Sequence, residues 1–407
     1  MTEKRKPGFE ALAKTSLYPQ EQLMPVGRGK HAFFIGLPRE ISFQENRISL
    51  TPDGVGLLVK NGHEIWVETK AGEGAKFSDK DYSEAGAKIV YAPQEVYKAD
   101  VILKIEPPTA SEIEMMHPGQ TLISAIQLGQ FTTDRLQALL KKKVTALAYE
   151  FIEDKVGGMP IIRAMSEIAG SCVIPLASEY LSTVHKGKGV ILGGITGVPP
   201  TKVVIIGAGT VAEYAARAAI GLGARVQIFD NHLYKLRRIK HLLGQQIYTS
   251  TIDTYTLVNT LKSADVVIGA LRAEKGRARH VITEEMVSQM RPDSLIIDLS
   301  VDQGGCVETS EVTTLDDPIF RKYDVIHYCV PNVASRVAHT ATTALSNIFT
   351  PTILRAAEEG GVEEMIFNHK WFMKGVYAYR GGLTNESLAR KFGLKYKNIE
   401  LLLAARF

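Results

Sequence analysis

The chain is expected to fold as two doubly wound α/β units, each a largely parallel sheet wrapped by helices, with a cleft between them. Three observations predict this. Residues 202–230 read KVVIIGAGTVAEYAARAAIGLGARVQIFD, a strand, a glycine turn, a helix and a second strand in register. The residues from His31 to about 152 alternate short apolar runs with helix-like segments, which implies βα repeats and parallel pairing. The run Val203 to Ile206 is continuously apolar, as suits a strand covered on both faces.

In order along the chain, residues 1–32, with Pro7, Pro19, Pro25 and a basic GRGK, read as an arm that either wraps a neighbouring subunit or is loosely ordered. HAFFIGLP is then a strand, LTPDGVGLLVKNG a helix capped by Thr51 and stopped near Gly62, and HEIWVET a second strand. KDYSEAGAKIV supplies another helix and strand, ADVILKIEPP a strand closed by two prolines, and GQTLISAIQ and VTALAYEFI continue the alternation. Residues 160–185 form a long apolar-periodic stretch expected to be a connecting helix, and the glycine-rich loop 187–200 delivers the chain to the strand at 202. ADVVIGA, SLIIDLS and DVIHYCVPN extend the second sheet. Residues 339–361 form a helix long enough to return to the first unit. The expected division is an arm at 1–32, a substrate domain at 33–160 plus 339–407, and a nucleotide-binding domain at 161–338.

Composition excludes little but directs the reading. A formal charge of +4 over 407 residues, with lysines and arginines scattered among acids, points to no nucleic-acid or membrane partner. Lys141-Lys142-Lys143 and Arg277-Ala278-Arg279 are short enough to be solvated faces. Three dispersed cysteines, Cys172, Cys306 and Cys329, form neither a disulfide framework nor a metal-ligand set, so no metal is expected and a cytoplasmic location fits. No apolar stretch is judged to reach the roughly 18 residues of a membrane span, and the N-terminus lacks the apolar core of a signal peptide.

Gly207, Gly209 and Ala212 give G-x-G-x-x-A, which lets backbone approach a pyrophosphate at a helix N-terminus. Asp230 ends the next strand, where an acid would hold a ribose 2′-OH, and this argues for NAD. Lys235, Arg237 and Arg238 follow closely enough to tolerate a 2′-phosphate, although an acid at Asp230 repels one.

Several blocks together resemble the alanine dehydrogenase and pyridine nucleotide transhydrogenase family: GLPREISFQENRISLTPDGV, GHEIWVETKAGEGAKFSD, ADVILKIEPP, AMSEIAG, the glycine segment, ADVVIGA and IDLSVDQGGCVETS. The resemblance spans about residues 33 to 390, and its most specific block is DQGGC. It implies an NAD-linked oxidoreductase that converts an amino acid to a 2-oxo acid and ammonia, reversibly, in homo-oligomers that are hexamers or dimers. Soluble alanine dehydrogenase is the nearest likeness; saccharopine dehydrogenases and a soluble transhydrogenase-like enzyme are further precedents.

By this resemblance Arg47, in ENRISLTP, is the substrate-carboxylate clamp, a role suited to a guanidinium. Asp302 of DQGGC lies by the reacting centre, and Asn332 of CVPN and Ser166 of AMSEIAG lie by the cofactor. Two positions depart from the pattern. The family's substrate-binding lysine falls on Glu106, and its acid/base histidine on Gln127, which hydrogen-bonds but does not transfer protons at neutral pH. Glu106 is expected either to serve as acid/base itself or to bind a cationic group of a larger substrate. Lys104, two residues earlier and about 6.6 Å along a strand, is expected either to reach the pocket in compensation or to form a structural salt bridge. Arg163 and Arg336 are further cations that would line the cleft or lie on the surface, and Cys306 and Cys329 read as packing residues. The substitutions leave open a substrate other than alanine. They also leave open an NAD(H)-binding regulatory protein that has lost catalysis.

Overall fold

The computed structural model describes residues 31–127, 131–271 and 280–404. Residues 1–30 of the expected N-terminal arm and the Arg277-Ala278-Arg279 cluster lie outside the described residues. The N-terminal run gives β1 (Phe34–Leu37), β2 (Glu64–Glu68), β3 (Lys88–Val90), β4 (Val101–Leu103), β5 (Thr121–Ser124) and β6 (Thr145–Ala148). The second group is β7 (Lys202–Ile206), β8 (Arg225–Phe229), β9 (Tyr248–Ser250), β10 (Val266–Gly269), β11 (Leu295–Asp298), β12 (Ile319–Lys322) and β13 (Val325–Tyr328). β14 (Val376–Tyr379) and β15 (Gly382–Leu383) follow near the C-terminal end.

These strands make two sheets. The first has the order β15-β14-β6-β5-β4-β1-β2-β3, the second β12-β13-β11-β10-β7-β8-β9. Both therefore contain the doubly wound order in which the chain starts in the middle, winds to one edge, and then crosses to the other side. Pairing is parallel from β3 through to β6 and from β9 through to β13. It turns antiparallel at the edges, where β14 pairs β6 and β15, and β12 pairs β13. β14 and β15 thus belong to the first sheet although they follow the second in sequence.

The continuous apolar runs are explained by burial on both faces. In β7, Val203 and Ile205 pack into one core and Val204 and Ile206 into another. In β1, Ile35 and Leu37 face one core while Phe34 packs against the opposite one. Each fully buried aliphatic side chain of this kind contributes roughly 1.5–3 kcal/mol.

Three helices matter for the site. Helix α1 (Pro52–Lys60) starts as expected at Thr51, whose Oγ1 accepts from Gly54 N at 3.2 Å. Helix α2 (Pro160–Leu181) is the connecting helix. It has 22 residues, and an 18-residue window within it has a mean hydropathy of 1.3, which meets the length and composition of a membrane span and corrects the expectation that no stretch does so. Its Val173, Ile174, Leu176 and Ala177 are buried in the core of the second sheet. Helix α3 (Ala338–Glu358) follows the second sheet and buries Leu345, Phe349 and Ile353 in the core of the first.

Most of the candidate site residues follow the C-terminal end of a strand: Arg47 after β1, Glu106 after β4, Gln127 after β5, Gly207 after β7, Asp230 after β8, Asp302 after β11 and Asn332 after β13. That edge is where open α/β sheets bind ligands.

Candidate active site in the interdomain cleft

The segment Gln44–Arg47 is held from both sides. Asn46 N donates to Ser335 Oγ at 2.9 Å, Ser335 Oγ donates to Gln44 O at 2.7 Å, and Leu315 N donates to Gln44 Oε1 at 2.8 Å. Residues after β11 and β13 of the second sheet therefore fix a loop after β1 of the first.

Within this loop Arg47 is buried and locked on Glu45. Its Nε donates to Glu45 Oε1 at 2.7 Å and its Nη2 to Oε2 at 2.5 Å, a two-pronged pair. Nη2 is also 3.8 Å from Glu106 Oε1, and Nη1 lies 3.4 Å from Met165 Sδ. Asn332 Nδ2 reaches across to donate to Glu45 Oε2 at 2.7 Å, and Gln127 Nε2 donates to Glu106 Oε2 at 2.6 Å. Arg47, Glu106, Gln127 and Asn332, which lie far apart in sequence, are thus joined through Glu45.

One guanidinium serves two buried carboxyls, and their protonation divides accordingly. Burial alone would raise the Glu45 pKa, but the charge and hydrogen bonds of Arg47 outweigh it and hold Glu45 below the ordinary glutamate value. Glu106 is pushed up to about 8, first by burial and then by the charge of Glu45, with which it shares a hydrogen bond. Burial works against the Arg47 charge, yet Glu45 more than restores it.

Gln127 sits just beyond β5 with φ of 41°, a left-handed backbone that a non-glycine residue adopts only when its surroundings impose it. Glu150 imposes it here, accepting from Ile126 N at 2.7 Å and Gln127 N at 3.3 Å. The Gln127 Oε1 atom is buried and has no partner among the described residues.

Lys104 lies in a salt bridge, one of the two roles expected of it. The strand ends at Leu103, so the alternation that would place Lys104 and Glu106 on one face stops before both of them. Lys104 is 1% exposed, and its Nζ lies 3.2 Å from Glu40 and 3.1 Å from Glu112. Burial opposes its charge, but the two acids prevail and raise its pKa. Glu40 in turn accepts from Ile105 N at 2.5 Å and Glu106 N at 3.3 Å, so this ion triad supports the backbone that carries Glu106. Arg163 is on the surface, paired with Glu167, and Arg336 pairs with Glu179; neither joins the Arg47 cluster.

On the nucleotide side, Gly207 has φ of 109°, and a Cβ there would stand 2.5 Å from Ala270 O. Gly209 caps the helix Thr210–Gly221 with no side-chain bond to its first turn, and a Cβ on Gly209 would meet no atom of the described residues within 4 Å. The helix start therefore has no side-chain cap and an unobstructed approach at Gly209 among the described residues, as a pyrophosphate requires. Ala212 is fully buried against the sheet. Asp230 accepts from Ala208 N at 2.8 Å and from His232 N at 2.8 Å. These bonds outweigh burial and keep it ionised, with Lys235 of the following helix adding to the effect. The arrangement fits a dinucleotide.

Asp302 lies exposed in a short turn, Val301–Gln303, which closes through Gly304 and Gly305 at φ of 104° and 73°. The turn is anchored by Asp298, which accepts from Ser300 Oγ at 2.6 Å, Cys306 N at 2.9 Å and Ser310 Oγ at 2.9 Å. Ser166 is half-buried on α2, next to the Met165 that touches Arg47. Cys306 and Cys329 are buried and burial raises both thiols, in keeping with packing.

Residues 36–169 match the N-terminal domain model of alanine dehydrogenase/PNT, and residues 173–386 match the C-terminal domain model. The chain belongs to the alanine dehydrogenase/PNT family. It is 39% identical over 368 residues to alanine dehydrogenase 2 of Staphylococcus aureus (strain USA300), covering 90% of this chain and 98% of that one. Among solved structures it is similar to an L-alanine dehydrogenase at 35% identity and a TM-score of 0.83, over 88% of this chain and 99% of the other. A transhydrogenase from Sinorhizobium meliloti shares the fold at 22% identity and a TM-score of 0.74, over 87% and 99%. Family membership and the Rossmann-like second sheet together identify the cofactor as NAD.

Sequence reasoning missed Glu45, Glu40 and Asp298. The signal for Glu45 was present in Glu45-Asn46-Arg47, where an acid two residues from the clamp is positioned to pair with it. Asp298 was visible as an acid ending an apolar strand. Glu40 carried no local signal, because its partners Lys104 and Ile105 are 64 and 65 residues away.

Proposed function

We propose that this chain is an NAD-dependent dehydrogenase of the alanine dehydrogenase type, which converts an L-amino acid and water to a 2-oxo acid and ammonia, reversibly. The observation that carries this reading is the convergence of Arg47, Glu106, Gln127 and Asn332 in the cleft, in a family whose relatives bear that name. NAD, when bound, would supply the acceptor for the hydride of the substrate α-carbon. Gly207, Gly209, Ala212, Asp230 and Lys235 hold its adenosine and pyrophosphate half, and Ser166, Asn332 and Asp302 its nicotinamide half.

The chain's own residues do the rest. Arg47 takes the substrate carboxylate on its Nη1 side, the edge not used by Glu45. Gln127 orients the reacting nitrogen or oxygen. Glu106, beside Arg47 and Gln127, is the titratable carboxyl of the set. The substrate class is the L-amino acids, and the protein is taken to be a cytoplasmic homo-oligomer, a hexamer or a dimer.

The test is nicotinamide reduction by the full chain with NAD and a panel of L-amino acids, alanine first. Turnover with at least one amino acid supports the proposal. NADH binding without turnover across the panel would favour a regulatory NAD(H)-binding protein instead.

A further inference from the structure

We propose that Glu45 and Glu106 form a single proton-holding carboxyl pair, in which Glu106 exchanges a proton with the substrate nitrogen and Glu45 positions that proton. This rests on the reading of the cleft as an amino-acid dehydrogenase site and adds to it the identity of the proton carrier.

The argument is one of charge and geometry. Glu45 and Glu106 are 9% and 6% exposed, and the guanidinium of Arg47 is 2.5 Å from one and 3.8 Å from the other. One buried cation neutralises one buried carboxylate; a second close carboxyl is stable only if it carries a proton. Glu45 claims Arg47 with two bonds and takes a third from Asn332, so Glu45 is the ionised partner. Glu106 has the longer contact with Arg47 and a single side-chain amide donor, Gln127, so the proton resides on Glu106. The groups facing Glu106 are Glu40 beneath its backbone, Glu45 and Arg47 beside it, and Tyr149 behind it. Glu150 lies one step further, under Gln127. Arg47 is the single cation among them, and Lys104 is committed to Glu40 and Glu112.

The step balances simply. In the oxidative direction an N–H bond of the substrate ammonium breaks, its electron pair stays on nitrogen, and the proton forms an O–H bond on ionised Glu106. In the reductive direction that O–H bond breaks and the proton returns to nitrogen. The carboxyl pair thus performs the proton transfer that Gln127 cannot.

Infrared difference spectroscopy of the full chain across a pH titration tests this without requiring turnover. The expected result is a protonated-carboxyl band that titrates near pH 8 and disappears in Glu106→Gln. Glu45→Gln should lower the titration by at least about one pH unit, because Glu106 then has Arg47 to itself. Glu45→Asp, which withdraws the neighbouring charge by one methylene, should move it the same way by less, and serves if Glu45→Gln does not fold. With an active substrate, the oxidative rate should rise and the reductive rate fall through the same pH, and both limbs should shift with the band. A band that is absent, or that stays in place in both Glu45 variants, overturns the proposal. A band that behaves as stated in a protein with no turnover leaves the pair intact and refutes the dehydrogenase reading instead.

Discussion

Replacing Lys104 by methionine separates a structural cation from a substrate ligand. The side chain is 1% exposed and its ammonium sits 3.1–3.2 Å from Glu112 and Glu40, so the variant leaves two buried carboxyls without a cation. Burial already raises the Glu40 pKa against the charge of Lys104, so removing Lys104 leaves that burial unopposed. Protonating a carboxyl of ordinary pKa, about 4.3, at pH 7 costs about 4 kcal/mol at 1.36 kcal/mol per unit. Breaking a buried pair by deleting one partner costs about 3–5 kcal/mol, which agrees. The loss is full near neutral pH and shrinks as pH falls toward about 4.3, because the unfolded chain then takes up the same protons. The assay is urea unfolding followed by tryptophan fluorescence. Trp66 of β2 packs on the core of one face of the first sheet and Trp371 on the core of the other, so both report that sheet. The double variant Lys104→Met/Glu112→Gln should recover at least half of the loss, since glutamine also serves at the capping position beside Thr109. A shift below about 1 kcal/mol, accompanied by a large rise in KM for the amino acid, would refute the reasoning and return Lys104 to the substrate.

Two glycines of the nucleotide turn should respond oppositely to alanine. Gly207→Ala forces a Cβ into Ala270 O at a positive φ and should destabilise the fold by about 1–3 kcal/mol. Gly209→Ala meets no atom of the described residues, so its melting temperature should hold while NADH affinity, read by fluorescence titration, falls. Arg47→Lys keeps the charge that Glu45 needs but loses the planar fork; KM for the amino acid should rise about tenfold or more while the chain still folds. Because the Glu106 pKa is raised in the folded state, from about 4.3 to about 8, the folded chain binds the extra proton and stability falls as pH rises across that window. Glu106→Gln should flatten this decline in thermal melts taken from pH 5 to 8.

The alternation of strands and helices, the glycine turn and Asp230 were legible in the sequence because each rests on local rules: continuous apolar runs, capping and turn chemistry. The return of β14 and β15 to the first sheet was anticipated from the long helix before them. The antiparallel edges were not, since nothing local distinguishes an edge strand from its neighbours. Arg47, Glu106, Gln127 and Asn332 were all named from sequence, and the structure brings them together. For Lys104 the sequence left a pocket cation and a structural salt bridge open; the structure places it in a salt bridge, and the two-residue period does not extend past Leu103, where the strand ends. Glu40 was missed for a different reason. Its partners Lys104 and Ile105 are 64 and 65 residues distant and only folding supplies them, whereas Glu45 carried its signal two residues from Arg47.

The most direct test of the account is the stoichiometry of ammonia to NADH formed by the full chain with its best L-amino acid and NAD, measured alongside Glu106→Gln. The account predicts one ammonia for each NADH, and a severe loss of both products in the variant. NADH without ammonia, or equal rates in the two proteins, would contradict it.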